Sequence, residues 1–561
     1  MDYSRKRLKW NGWGWHGRSF PFHGKDADFW KFVQGHLGSH ELPDTPSLKW
    51  EEVDAGKSKL TAATRKQLVA ILDEERVCTD QYERVFHALG RSYRDLLRLR
   101  TGKLPGAPDV VLYPKGTAEV EAIMQLAVKR NVAVVPFGGG SSVVGGVEAI
   151  GEEGHAGVWT VDLSMMENII AIDTVSMTAT VQAGVYGPKL ERALQDRGFT
   201  LGHYPQSFEF STLGGWIAAK GAGQQSNRYG AADKWLVSAR VVSPNGEWGT
   251  VASIPHASTG PDLNHLIAGS EGTLGIITEA TVKIHKLPPA RDYRGYLFKD
   301  FASGVDALRE IVQEEIPIAM ARLSDPDETA FLMDFKSRGT EETTLKALTN
   351  NVLSATGYGD GACILLLGIE GNNSHVKPAV AQTNIICMKH GGLPVGPKAG
   401  ENWYKNRFEM PYLRDPLMDR GLGVDTLETA ISWSKVSTLH RAVIQTINDT
   451  IRAESAHPGA GALVMCHVSH SYHDGCSLYF TFVFGQATGR EMEQWTAIKK
   501  AASQVISEHG ASMSHHHGVG MDHLPWIEAE KSTLGVGMLK AAREHVDPNG
   551  IMNPKKTYLT P

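Results

Sequence analysis

Pro136-Phe-Gly-Gly-Gly-Ser-Ser142 follows directly on the apolar run Val132–Val135, and its reading decides the fold. Three adjacent glycines let backbone N–H groups approach an anion closely, and Ser141 and Ser142 add hydroxyl donors, as in a loop that holds a pyrophosphate. Gly145-Gly146 continues the loop and no helix pattern follows at once, so this is not the fingerprint that opens a Rossmann helix. No Gly-Lys-Ser/Thr is present, so it is not a P-loop either. Two more loops of the same character follow: Gln206-Ser-Phe-Glu-Phe-Ser-Thr212, running on into Leu-Gly-Gly-Trp216, and Gly269-Ser-Glu-Gly-Thr-Leu-Gly-Ile-Ile277. Each alone could be a plain turn. Three inside one block are harder to assign to turns.

Around these loops the pattern alternates between short strands and helices. Asp109–Tyr113 reads as a strand, and Thr117 caps a helix to Arg130 with apolar positions Val120, Ile123, Met124, Leu126 and Ala127. Strands are expected at 158–163, 168–173 and 177–183, a helix at 187–197, a hairpin over 235–252 turning on Asn245-Gly246, and a strand at 274–286. Upstream, 21–102 reads as helical, with candidates at 61–75 and 80–99. Pro288-Pro289 marks a boundary. Beyond it, helices are expected at 302–314, 375–390, 430–453, 491–508 and 533–545, and strands at 362–369, 462–469 and 477–484. The class is α+β.

A chain of 561 residues with 42% hydrophobic and 21% charged residues is an ordinary globular protein of two or three domains. The net charge of −5 excludes a globally basic nucleic-acid binder. Five scattered cysteines without CxxC spacing argue against a disulfide framework and for a reducing compartment. Apolar runs such as Ala362–Leu367 fall far short of the roughly 20 residues that span a bilayer. The start has no apolar core of a signal peptide, and the end, YLTP, is no peroxisomal address, so a soluble or peripheral protein is expected. Residues 5–18 mix Arg5, Lys6, Arg7, Lys9 and Arg18 with Trp10, Trp13 and Trp15. That mixture suits either a membrane interface or packing on the protein body; packing is preferred, since no amphipathic period accompanies it.

His515, His516 and His517 stand in a row, and on a strand they would alternate between faces, so convergence of all three on a metal is not expected. His467, His470 and His473 lack an accompanying carboxylate or cysteine pattern, and no metal site is assigned. Proton transfer or anion binding suits such histidines better. Tyr479, in Leu478-Tyr-Phe480, reads as a core tyrosine, with Tyr472 nearby. Arg414 could pair with Asp415 or Asp419, or offer its fork to a phosphate.

The three loops and the tail Asp547-Pro-Asn-Gly-Ile-Met-Asn-Pro554 resemble the vanillyl-alcohol oxidase family of flavoproteins. Trp10-Asn-Gly-Trp-Gly14, Tyr412-Leu-Arg-Asp415 and Ser514-His-His-His-Gly-Val-Gly520 resemble its alkyl-dihydroxyacetonephosphate synthase (alkylglycerone-phosphate synthase) branch, nearly end to end. The resemblance implies a helical segment over 1–102, a PCMH-type FAD-binding domain over 103–290, an α+β cap over 291–512, and a segment, 513–561, that returns to the FAD domain. It implies non-covalent FAD held by Pro136, Phe137, Gly138, Gly139, Gly140, Ser141 and Ser142, by Gln206, Ser207, Phe208, Glu209, Phe210, Ser211, Thr212 and Gly215, by Ala219, Lys220, Gly221 and Ala222, and by Glu271, Gly272, Thr273, Leu274, Gly275, Ile276 and Ile277. It gives proton transfer to Tyr479 and the histidines, chiefly His517, with His516, His515 and His203, and substrate binding to Arg414 and Arg322.

The implied reaction is exchange of the acyl group of acyl-dihydroxyacetone phosphate for a long-chain alcohol, through a flavin N5 adduct without net redox change. Two lipid substrates imply peripheral contact with a membrane, for which the Trp-rich start is one candidate, and the family implies a homodimer. Departures from the family include Gln206 and Phe208 in the second loop and Ala219-Lys-Gly-Ala222, which lacks two hydroxyls. Without a peroxisomal extension before WNGWG, a cytoplasmic protein of bacterial type is expected. The alternative is a flavin oxidoreductase of a 2-hydroxy acid such as D-lactate; such enzymes carry a Glu where this chain has His516.

Overall fold

The computed structural model describes residues 5–38, 42–250, 254–255, 257–337, 356–455 and 460–557. Four strands form the first sheet: β1 (Val77–Cys78), β2 (Val110–Leu112), β3 (Ala133–Phe137) and β4 (Val158–Asp162), in the order β1-β2-β4-β3. β2 and β3 both run parallel to β4, and the helix Thr117–Arg130 makes the crossover between them. Val110–Leu112 and Ala133–Val135 are buried throughout, as parallel strands covered on both faces require. The second sheet holds β5 (Ile169–Asp173), β6 (Thr178–Gln182), β8 (Leu236–Ser243), β9 (Gly246–Gly249) and β10 (Ile276–Lys283) in antiparallel order β5-β6-β10-β8-β9, and β7 (Phe199–Thr200) pairs with β11 (His285–Lys286). Val134 donates to Ile551 O and Asn553 to Val134 O, so the C-terminal tail lies along β3.

The rest of the chain builds one antiparallel sheet of seven strands. These are β12 (Ala290–Phe298), β13 (Met320–Ser324), β14 (Cys363–Gly371), β15 (Leu393–Gly396), β16 (Leu422–Ser432), β17 (Ala462–Ser471) and β18 (Gly475–Gly485), ordered β15-β12-β14-β13-β17-β18-β16. The helix Val436–Glu454 buries Val436, Leu439, Val443, Ile447 and Ile451, a three-four stripe that packs on this sheet and on the helix Glu491–Glu508. Along β18, Phe480, Phe482 and Phe484 are buried in the same core, so strand alternation puts Tyr479 on the opposite face.

Several expectations need correction. The helix expected over 80–99 is two, Gln81–Phe86 and Tyr93–Thr101, because a Cβ at Gly90 would lie 2.6 Å from Ser142 O and the chain must pass the glycine loop there. Within the expected helical segment 1–102, β1 was not foreseen and joins the first sheet. Residues 430–432 end β16 and the helix begins only at Val436. β12, β13, β15 and β16 were not anticipated. The expected strand 274–286 divides into β10 and β11, and Ser243 pairs with Gly246, which puts Pro244-Asn245 at the hairpin turn.

The tryptophans of the start pack on the protein body. Trp10, Trp13 and Trp15 are all buried, Trp13 edge-on to Phe210 and its backbone N–H donating to Asp415. Gly14 has φ 71° and packs where a Cβ would meet the Tyr412 ring at 2.4 Å. The WNGWG and YLRD segments are thus two sides of one contact. Cys363, Cys387, Cys466 and Cys476 are buried free thiols.

Candidate active site

The first two glycine-bearing loops clasp each other. A Cβ on Gly139 would lie 2.1 Å from Phe210 O, and one on Gly138 would lie 2.3 Å from Thr212 Oγ1. Only glycine permits that approach. Among the described residues, the backbone N–H groups of Gly139, Gly140 and Ser141 have no acceptor. Thr212 Oγ1, Gln206 Oε1 and His203 Nε2 are likewise buried without partners. Buried polar groups are normally bonded, so this concentration of unmet donors and acceptors marks a place built for a polar ligand. His203 lies between Trp216 and Trp235, with ring centroids 4.7 and 5.2 Å away, and its Nδ1 accepts from Trp235 Nε1 at 3.3 Å. Burial pushes its pKa down to about 3, so the ring is neutral and presents Nε2–H.

The cap sheet supplies the other wall. Across β17, β18 and β16, His467 pairs with Tyr479 and Tyr479 with Glu428, so the three share one face in a row. The His467 and Tyr479 rings lie 5.0 Å apart, and the Tyr479 ring is 6.1 Å from His516 and 5.5 Å from His517. Burial raises the Tyr479 hydroxyl, so it is a protonated donor at neutral pH.

The His triplet lies in an irregular loop rather than on a strand, and Glu428 is what shapes it. Its carboxylate accepts from Ser514 Oγ at 2.9 Å and from the backbone N–H groups of His515, His516 and His517 at 2.7, 2.8 and 2.8 Å. Burial pushes the Glu428 carboxyl up, but the imidazoles of His516, His517 and His515 and the backbone donors outweigh it and hold it well below the usual range. Because the loop is irregular, the alternation argument fails: His470, His515 and His516 bring a ring nitrogen each within 4.8 Å of one another. Those rings are engaged in hydrogen bonds, His470 Nδ1 with Ser226 Oγ at 2.7 Å, His515 Nε2 with Tyr472 OH at 2.6 Å, and His515 Nδ1 with His516 Nδ1 at 3.0 Å. Burial drives His470 and His517 well below their ordinary pKa and His515 to about 4.

Arg414 turns inward, away from Asp415 and Asp419. It donates to Arg91 O at 3.0 Å, stands 3.7 Å from Asp425, and faces the Trp13 ring at 5.5 Å. Asp415 is taken by Lys9 and Asp419 by Arg100. Arg322 donates to Glu328 at 2.8 Å, and the same Glu328 oxygen accepts from His467 Nδ1 at 3.0 Å. Burial pushes Glu328 up, but Arg322 and then His467 overrule it and hold the carboxylate ionised.

Some expected cofactor contacts are otherwise employed. Glu209 pairs with Arg18 and accepts from Tyr412 OH; Glu271 accepts from Val519 and Gly520 N–H; Lys220 reaches toward Asp233 with its side chain half exposed. The side chains of Ile276 and Ile277 belong to the core of β10. Glu428 and Glu328 have no place in the sequence reading, and His467 and His470 enter it only as histidines suited to proton transfer or anion binding. An acidic residue inside an otherwise apolar strand, as in Leu427-Glu-Thr-Ala430, was the available signal.

Residues 108–252 match a family model described as an FAD binding domain, and 287–557 match one described as FAD linked oxidases, C-terminal domain. The alkyldihydroxyacetonephosphate synthase of Dictyostelium discoideum is 34% identical, over 99% of this chain and 94% of that one; the Trypanosoma brucei brucei enzyme is 33% identical, over 99% and 93%. A solved structure of alkyldihydroxyacetonephosphate synthase superposes with a TM-score of 0.83 at 33% identity, covering 99% of this chain and 98% of that one. The chain belongs to the alkyldihydroxyacetonephosphate synthase family. Its cofactor is FAD, and the unmet groups present fit a polar ligand of that kind: backbone donors of Gly139, Gly140 and Ser141 and the unpartnered Thr212 Oγ1 and His203 Nε2. As in this family, the fold joins an FAD-binding domain of PCMH type to an α+β cap.

Proposed function

We propose that the protein forms an ether bond, replacing the acyl group of acyl-dihydroxyacetone phosphate by a long-chain alcohol and releasing a fatty acid. The observation that carries the reading is the meeting of Arg414, Tyr479 and the His triplet on the side of the FAD domain where unmet donors gather. FAD, when bound, supplies a nucleophilic ring nitrogen. Arg414, with one guanidinium nitrogen spent on Arg91 O, has donors left for the substrate phosphate. On this reading Tyr479 is the acid and neutral His517 the base that move the proton at the substrate carbon next to the carbonyl, as the raised tyrosine and lowered histidine support. Phe208 and Trp216, buried and stacked with ring centroids 6.4 Å apart, form an apolar wall that would keep water from the reacting carbon.

That the enzyme works at a membrane surface, as a homodimer in a cytoplasm of bacterial type, belongs to the same proposal; the lipid chains of both substrates support it. The test is the visible spectrum of the FAD-loaded protein after anaerobic addition of acyl-dihydroxyacetone phosphate, followed by a fatty alcohol. Bleaching of the flavin band without reductant, reversed by the alcohol without oxidant, is the expected result. Bleaching only by a 2-hydroxy acid, reversed only by an electron acceptor, would make the protein a dehydrogenase.

A further inference from the structure

Glu428 is a fully enclosed carboxylate whose four hydrogen-bond donors all come from one loop, Ser514–His517, and none of those donors is a formal cation. An ionised carboxylate away from water needs a compensating charge as well as hydrogen bonds. The charged and titratable groups around it come from every neighbouring element. Asp425 shares its own strand, Tyr479 faces it from β18, His467 and His470 stand on β17, and His515, His516, His517 and His523 lie on the loop. Lys499 approaches from the helix Glu491–Glu508, Arg414 stands near Tyr479, and Lys220 and Asp233 lie beyond His515. Among the described residues no ion pair within 4.0 Å joins a Lys or Arg nitrogen to Glu428: Lys499 reaches Thr426 O and Asp425, Arg414 reaches Arg91 O and Asp425, and Lys220 reaches Asp233.

What remains within 4 Å of the Glu428 oxygens is imidazole. The Nδ1 atoms of His516, His517 and His515 lie at 3.5, 3.8 and 3.9 Å. His515 and His516 point their Nδ1 atoms at each other across 3.0 Å, a separation that holds one hydrogen, which two neutral rings already supply, so an added proton must sit on an outer nitrogen. The outer nitrogen of His515 is already fixed by Tyr472 OH.

From this geometry we infer that Glu428 is the positioning residue of the histidine triplet: it folds Ser514–His517 into a nest and keeps one extra proton on His516, the imidazole nearest its carboxylate. The site then holds a base, His517, and a stored proton within one loop, and Tyr479 lies beside both. The inference depends on the proposed reaction only for the kinetic part of its test.

The test has two arms. In the FAD-loaded wild-type enzyme, nitrogen NMR of labelled histidine should show one imidazolium signal that persists at pH 8 and is missing from H516N. In kinetics, E428Q should bind FAD and move the histidine-dependent limb of the kcat/KM–pH profile down by about one pH unit or more, the size expected when an opposite charge within 4–6 Å is removed. S514A removes a hydrogen bond of the same nest but no charge, so it should lower kcat and leave the limb in place. An unmoved limb in E428Q, or an equal displacement in S514A, would reduce Glu428 to a structural anchor. Absence of a persistent imidazolium overturns the inference even if E428Q fails to fold or the reaction is a different one. So does a stoichiometric divalent metal in the isolated enzyme, which would take the place of the proton.

Discussion

Replacing Arg322 by Met removes a guanidinium from a three-member network and leaves Glu328 with His467 alone. Arg322 Nη2 and Glu328 Oε1 are 2.8 Å apart, with side-chain exposures of 17% and 7%. At an effective dielectric constant of ~20, unit charges at that distance attract by about 6 kcal/mol, an upper bound before the desolvation of both groups is subtracted. Removing one partner of such a pair typically costs about 3–5 kcal/mol, and the partial exposure of Arg322 puts this case near 3. E328Q should cost about 2 kcal/mol, since Arg322 can still reach water but His467 loses its anion. In R322M/E328Q no charge is left unpaired, so the cost should be about 2 kcal/mol rather than the sum of about 5, a coupling of roughly 3. The assay is urea unfolding of the FAD-loaded variants, with steady-state kinetics alongside. Additive effects would refute the network. Full recovery of kcat and KM in the double variant would refute the role of Arg322 toward substrate.

Four further outcomes are expected. R414A should keep FAD and raise the KM for acyl-dihydroxyacetone phosphate about 10- to 100-fold, the worth of hydrogen bonds to a charged group; unchanged kinetics would remove Arg414 from the site. G139A must separate two backbones that approach a Cβ to 2.1 Å, so the purified protein should be colourless while its circular dichroism stays near wild type; a yellow G139A protein contradicts the loop-clasp geometry. W13A should lower stability by about 3–5 kcal/mol, as for other buried aromatics, and leave liposome binding unchanged; lost liposome binding in a folded variant would return this residue to the membrane. Burial lifts the Glu271 carboxyl from 4.5 to about 7, so between those values the folded chain keeps a proton that the unfolded chain releases, and stability should fall as pH rises through this window. E271Q should flatten that slope, measured as melting temperature against pH; an unchanged slope would assign it to other groups.

What could be read from the sequence was whatever the chain settles locally. The helix ending at Arg130 needs only its own apolar spacing, and it is found over Thr117–Arg130, with Gly116 rather than the expected Thr117 at the N-cap and no side-chain cap bond. The glycine loop was legible for the same reason, because a run of three glycines is a statement about the backbone itself. The row His467–Tyr479–Glu428 is of another kind. β17 and β18 are neighbours in sequence, but β16 joins β18 from the far side, and no short window contains all three residues. β16 also looks unlike a strand, since Asp425, Glu428 and Thr429 are buried polar residues that break its apolar alternation. Their partners are Trp495 Nε1, the His loop and Ser512 O, some 70 to 90 positions downstream. A polar residue inside a strand reads as an error until its distant partner is known. Here three such residues in one strand have their partners in the helix and loop that complete the site, so the stretch with the weakest strand pattern is the one on which the histidines are built.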